Sequence, residues 1–245
     1  MRKLGRVYLR HQVARFVLMF TGRSGSSYLI NLLNSHPYIL ALGEELAILH
    51  NNGAEAQANW VTDFLTAPPI SWYKARGFKV KLVDVADPTG LTSLLRESNC
   101  RIIHMTRRNQ VKAVISRINA LRLWEKTGEW NLYSERNRPS PIRVDVPKFD
   151  ELLEHRARVD TALEEFVSQL ALPTQTIFYE DLLVLRDTVL QRTFEFLGVP
   201  SRPVHGDTRK NTSDDLRDVI INFEELRSRY LGTAYGQMFD EILTP

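Results

Sequence analysis

Short apolar runs alternate with amphipathic stretches along most of this chain. Ala14–Phe20 reads as a buried strand. Tyr28–Ser35 carries Leu29, Leu32 and Leu33 at helical spacing, and His36-Pro37 stops that helix. Tyr38–Leu42 predicts a second strand that ends at Gly43. Residues 46–76 predict a helix that turns irregular, with a break at Pro68-Pro69. Gly77–Val83 is a third strand, and Asp87-Pro88 opens a helix to Ser98 with proline in its first turn. Arg101–Thr106 is a fourth strand. Val111, Val114, Ile115 and Ile118 make the next helix amphipathic, and a long helix spans Asp150–Leu170. Thr176–Tyr179 is a fifth strand, followed by a helix to Leu197 that Gly198 and Pro200 end. The tail, Asp214–Tyr230, predicts one more helix with Ser213 or Asp214 as its cap. Strands separated by helices call for βαβ units, hence an α/β protein with a mainly parallel five-stranded sheet.

Residues 125–149 interrupt this rhythm. The stretch EKTGEWNLYSERNRPSPIRVDVPKF is rich in proline and arginine and holds Trp130 and Tyr133. Because a long helix follows at once, it reads as a surface insertion within one domain over 1–245, and long ordered loops often serve as lids or binding loops. Composition adds exclusions. Of 245 residues, 43% are hydrophobic and 25% charged, values that exclude a disordered, collagenous or coiled-coil chain. Lys and Arg exceed Asp and Glu by only 3, too little for a general nucleic-acid binder. The single cysteine, Cys100, cannot form an internal disulfide and points to a reducing, cytoplasmic setting. No apolar run approaches the roughly 20 residues of a membrane span, and VARFVLMF is too short for a signal peptide.

Two clusters carry chemistry. Thr21-Gly22-Arg23-Ser24-Gly25-Ser26-Ser27 lies between a strand and a helix. Small residues there let successive backbone N–H groups face one concavity, and the helix N-terminus and Arg23 add positive charge: a phosphate cradle, or else an ordinary Gly/Ser turn. It lacks the spacing and lysine of a Walker A loop. The second cluster is Arg108-Asn109-Gln110 after the fourth strand, with Ser116 eight positions beyond Arg108. An arginine fork and a serine hydroxyl two helical turns on could clamp one phosphate. Both clusters follow strand ends, where open parallel sheets bind ligands. No His/Cys/carboxylate set has metal-ligand spacing.

With these residues in view, RFVLMFTGRSGSSYLINLLNSHPYILALGEEL resembles the 5′-phosphosulfate loop region of sulfotransferases that use 3′-phosphoadenosine 5′-phosphosulfate (PAPS). The pattern is nearest to carbohydrate-type, tyrosylprotein and bacterial members. RIIHMTRRNQVKAVISRI resembles their 3′-phosphate motif, FYEDLL and FEFLGVP their Y-E-D-L and F-L-G-V segments, and TRKNTSDDLRDVIINFEEL the C-terminal stretch that closes over the nucleotide. The resemblance implies a three-layer, P-loop NTPase-like sandwich and PAPS as cofactor, with no metal. The implied acceptor is hydroxyl-bearing, a glycan or other polyhydroxyl or phenolic compound, and neither nucleic acid nor a membrane span is expected. It implies that Arg23, Ser24, Gly25, Ser26 and Ser27 hold the 5′-phosphosulfate, that Arg108 and Ser116 hold the 3′-phosphate, and that Arg209 and Lys210 cover the nucleotide. Lys79 matches a family lysine beside the bridging oxygen, with Lys81 as the fallback. Cytosolic members place Lys where this chain has Arg23, and a catalytic His where it reads Gly77-Phe78-Lys79-Val80-Lys81-Leu82. The resemblance therefore moves the general base to Glu44 or Glu45, with Glu44 favoured by ungapped spacing. Glu44-Glu45 also suits the first turn of a helix, Lys79 and Lys81 could be the wet face of an edge strand, and Trp124 and Trp130 could stack on a sugar or serve the core. A P-loop kinase and a polyanion-binding module using Arg136, Arg138 and Arg143 are the alternatives.

Overall fold

A computed structural model describes residues 13–66, 72–206 and 212–243. Five strands form one sheet: β1 (Ala14–Phe20), β2 (Ile39–Leu42), β3 (Ala75–Val80), β4 (Arg101–Thr106) and β5 (Thr174–Phe178). Their order is β2-β3-β1-β4-β5, and every pairing is parallel. Along β1, Phe16, Leu18 and Phe20 enter one apolar cluster while Val17 and Met19 enter another. Both faces of the strand are thus buried, which explains its unbroken apolar run.

Helices cover the two faces. α1 (Ser26–Asn34) supplies Leu29, Leu32 and Leu33 to the first cluster. α2 (Glu45–Ile48) is a single turn, and α3 (Gly53–Thr66) gives Val61 and Leu65 to the second cluster. α4 (Pro88–Glu97) is capped by the Asp87 carboxylate, which accepts from the Thr89 and Gly90 amides. α5 (Gln110–Thr127) follows β4. α6 (Val146–Gln169) begins where Asp145 accepts from the Lys148 amide at 2.8 Å, and it crosses back to the second cluster through Leu163 and Val167. α7 (Tyr179–Val184) and α8 (Arg186–Leu197) return to the first face. α9 (Phe223–Arg229) and α10 (Gly236–Asp240) close a third cluster with α5 and α6. The result is the three-layer, P-loop-like arrangement that the resemblance implied.

Several expectations need correction. β3 starts two residues earlier and ends at Val80, because Lys81 leads into a tight turn over Leu82–Asp84. It lies between β2 and β1, so Lys79 is not on an edge. Gly77 permits that central place: a Cβ there would fall 2.3 Å from the Phe16 carbonyl oxygen. The helix expected to run to Leu197 is broken at Leu185 (φ −119°, ψ 37°). The long helix expected at Asp150 starts instead at Val146. The tail is not one helix. Asp215 caps a tight turn at Leu216–Asp218, Ile220 pairs with Ile142, and Asn222 bonds both the N–H and C=O of Val144, so a single bridge flanked by turns replaces helix before α9 begins. Those contacts also fasten the insertion, whose Leu132 and Val144 are buried. Pro68-Pro69, Arg209 and Lys210 lie outside the described residues.

Candidate active site

The chain leaves β1 in one direction towards β2 and later crosses over to β4 on its other side. Such a reversal opens a crevice at the carboxyl ends of the strands. The loop 21–27 fills it. Arg23 takes a left-handed conformation (φ 66°) and Gly25 another (φ 88°), with Ser24 between them. Alternating hands of this kind turn successive amides towards one concavity. Gly25 is required there twice over: its φ suits glycine, and a Cβ would lie 2.3 Å from the Tyr179 ring. Gly25 precedes α1 as its cap position, and no side chain caps the first amides of the helix.

Three guanidinium groups surround this loop. Arg23 donates from Nε to Ser116 Oγ at 3.1 Å and from Nη1 to the Trp130 carbonyl at 3.2 Å. Burial, reinforced by Arg107, pushes the Arg23 pKa down to about 10. Arg107 is buried, donates to the Arg23 carbonyl at 3.3 Å and lies over the Tyr179 ring. Arg156, from α6, is also buried; it donates to the Gly22 carbonyl and to Asp160, each at 2.6 Å. Three buried polar atoms here have no hydrogen-bond partner among the described residues: Ser24 Oγ, Arg107 Nε and Arg156 Nη2. Buried polar atoms are nearly always paired; Arg107 Nε has only the Glu180 carboxylate at 3.9 Å, and the positive charge gathered around the loop, with the unpaired Ser24 Oγ in it, fits an anionic ligand such as the phosphosulfate of PAPS.

Glu44 stands at the end of β2 as the residue before α2. Its carboxylate meets Lys79 Nζ at 2.9 Å and Lys81 Nζ at 3.0 Å. Lys79 is buried and also donates to Ser27 Oγ at 3.1 Å, and Lys81 also meets Asp84 at 3.2 Å. A chain of contacts thus runs from the phosphate loop through Lys79 to Glu44. Burial would raise the Glu44 carboxyl, but the two ammonium groups outweigh it and hold the pKa below the ordinary carboxylate value. Burial would lower Lys81, and Glu44 and Asp84 reverse that into a rise. Glu45, in the first turn of α2, forms no ion pair among the described residues.

The second cluster is not assembled as a clamp. Arg108 forks onto Asp181 at 2.6 and 2.8 Å and stacks on Phe178, while Ser116 is buried and receives the Arg23 bond. Glu180 accepts from the Arg108 and Asn109 amides, each at 3.1 Å, so the acids of Tyr179-Glu180-Asp181-Leu182 brace the start of α5 as well as their own helix. Gly206 sits against the Tyr28 ring, and Thr212 receives a bond from Asn119 on α5. His104 is buried in β4, where burial lowers its pKa.

Arg107 and Arg156 escape the sequence reading. Arg107 is adjacent to the motif arginine Arg108 and has no spacing signal of its own. Arg156 lies on a polar-looking helix more than a hundred residues from the loop, and no local pattern marks it. Trp124 and Trp130 stack with centroids 5.7 Å apart and remain about half exposed, so neither is a core residue. Among the described residues no His/Cys/Asp/Glu group could hold a metal, and no helix is long and apolar enough to cross a membrane.

No family model matches the chain. By sequence it is similar to nodulation protein H of Rhizobium tropici, 27% identical over 241 aligned residues that cover 92% of each chain. It is also similar to nodulation protein H of Rhizobium meliloti (strain 1021), 26% identical over 245 aligned residues that cover 92% of this chain and 94% of that one. By structure, a sulfotransferase from Alicyclobacillus acidocaldarius shares its fold, with a TM-score of 0.50 and 18% identity over 94% of this chain and 98% of that one.

Proposed function

We infer that this chain is a PAPS-dependent sulfotransferase that moves a sulfuryl group to an acceptor hydroxyl with Glu44 as general base. The observation that carries the base assignment is the contact chain Ser27–Lys79–Glu44, which sets a carboxylate one lysine away from the phosphate cradle. When bound, PAPS supplies the sulfuryl group and a phosphate leaving group. Arg23, Ser24, Ser26, Ser27 and the loop amides meet the negative charge at its 5′ end. Glu44 accepts the proton of the acceptor hydroxyl as that oxygen bonds to sulfur and the sulfur–phosphate oxygen bond breaks. Lys79 neutralises charge on the departing oxygen, an electrostatic contribution made where charge develops. Its ammonium is shared between Ser27 and Glu44. Turning towards the leaving group leaves Glu44 with Lys81 alone, which makes the carboxylate more basic when a base is needed.

The 3′-phosphate falls to Arg108 and Ser116, provided Arg108 exchanges Asp181 for the ligand. Arg209 and Lys210 carry the charge to cover the nucleotide. The acceptor is a polyhydroxyl or phenolic compound, and the insertion at 125–149 shapes its pocket. The half-exposed Trp124–Trp130 pair, joined to Arg23 through the Trp130 carbonyl, supports a ring-bearing acceptor. The charge at the cradle comes from side chains and amides, so turnover is expected to continue in excess EDTA. The deciding experiment is a labelled-PAPS acceptor screen across sugars, phenols, peptides and lipids, with Glu44→Gln run beside the wild type. Transfer by the wild type and its loss in the variant support the reading. Transfer that is equal in both overturns the base assignment, and phosphoryl transfer from ATP with magnesium would replace the reading with a kinase.

A further inference from the structure

We infer that Arg156, anchored by Asp160 and Thr21, is a positioning residue that holds the phosphate cradle in its binding conformation. In a planar trans peptide the C=O of one residue and the N–H of the next point to opposite sides. Arg156 Nη1 holds the Gly22 carbonyl at 2.6 Å, so the Arg23 N–H is turned away from α6. Arg107 Nη1 holds the Arg23 carbonyl at 3.3 Å, so the Ser24 N–H is turned away from Arg107. These two amides belong to the Arg23–Gly25 stretch of alternating hand that forms the concavity. An arginine on each carbonyl fixes two peptide planes that a small-residue loop would otherwise leave free to rotate.

The arginine is itself held. Asp160, one helical turn on, accepts from Arg156 Nε at 2.6 Å and from Gln110 at 3.3 Å, and its other oxygen accepts from Thr21 Oγ at 2.6 Å. Thr21 is the first residue of the loop, so the network leaves the loop, enters α6 and returns. α6 is a rigid base, since Leu153, Leu163 and Val167 are buried in two apolar clusters. Arginine is needed for geometry as well as charge: one planar group must bond a carbonyl and a carboxylate together, which a lysine ammonium cannot do in the same directions.

This inference rests on the nucleotide reading above. Its test compares adenosine 3′,5′-bisphosphate with adenosine 3′-monophosphate by calorimetry, because their affinity ratio isolates the 5′-phosphate. The variants are Arg156→Lys, Arg156→Met and Thr21→Val, the last of which disturbs the network without stranding a buried charge. The expected result is a ratio at least tenfold smaller in both Arg156 variants and several-fold smaller in Thr21→Val. Affinity for the 3′-monophosphate and the melting temperature of Arg156→Lys should stay near wild type. A merely structural role would weaken both nucleotides together. An unchanged ratio in a folded Arg156→Lys, or equal loss for both nucleotides, overturns the positioning role while the nucleotide reading stands. A wild type that binds the two nucleotides equally overturns the nucleotide reading and this inference with it.

Discussion

Glu44 and Glu45 are neighbours with the same side chain, and their surroundings separate them. Glu44 touches two lysines, one of which reaches the phosphate loop, whereas Glu45 lies in the first turn of a short helix. Glu44→Gln keeps the shape and removes the proton acceptor. It is expected to lower kcat by roughly 10²–10⁴, with adenosine 3′,5′-bisphosphate binding near wild type, while Glu45→Gln stays within a few-fold. Steady-state kinetics on both variants checks this, and the reverse pattern would transfer the role to Glu45. Acidity gives a second check. The folded Glu44 pKa is depressed, so its contribution to stability is complete above the unfolded value near 4.5 and is lost as pH falls through the lower folded value. The stability difference between wild type and Glu44→Gln should therefore hold steady from neutrality to about pH 4.5 and shrink only below it. Urea titrations across that range read it directly, and a difference already falling at pH 6 would contradict the depressed pKa.

At the scale of elements, the turn after β1 and the turn after β5 govern the cradle jointly. Gly25→Ala must bring a Cβ against Tyr179 in a left-handed backbone. Strained backbone of that sort costs about 1–3 kcal/mol, so the variant should melt lower and lose bisphosphate affinity together. Arg108 poses a competition. Its present partner is Asp181, in a pair whose two side chains are each more than a third exposed, and such pairs are worth only about 0.2–1 kcal/mol. A phosphate can displace it. Arg108→Ala should weaken the bisphosphate at least about tenfold, since a charge-assisted bond is worth roughly 1.5–3 kcal/mol. Asp181→Asn should leave affinity unchanged or tighten it up to about fivefold. If Asp181→Asn weakens binding as much as Arg108→Ala does, the pair itself is the functional unit and the 3′-phosphate assignment fails.

For the whole molecule, the proposed nucleotide site would join elements from every layer: the loop between β1 and α1, the turn after β4, and α6 behind them. A ligand at 100 times its dissociation constant adds about 2.7 kcal/mol to stability, and about 2–4 °C of melting temperature accompanies each kcal/mol in a chain of this size. Adenosine 3′,5′-bisphosphate should therefore raise the melting temperature by roughly 5–11 °C, and adenosine 5′-monophosphate at the same concentration by far less. Equal shifts would remove the 3′-phosphate site from the account.

Much of this was legible locally. Buried strands announce themselves as apolar runs, and the Gly/Ser turn with Arg23 announces a loop before a helix, because both depend on neighbours within a few residues. The order of β1, β4 and their following motifs along the chain implies the crevice. Boundaries failed where distant partners decide: the tail breaks at Ile220 because Ile142 is there to pair with it, and β3 lies inside the sheet because β2 covers its edge. Local pattern alone reached the fold class and singled out the loop 21–27, and the resemblance added Glu44 and Glu45 as candidates. Packing settles that Glu44 meets Lys79, that Arg108 rests on Asp181 and that Arg156 reaches Gly22. Each of those contacts joins residues far apart in the chain, and a side chain's partner across such a distance is set by how layers pack rather than by any spacing along the sequence.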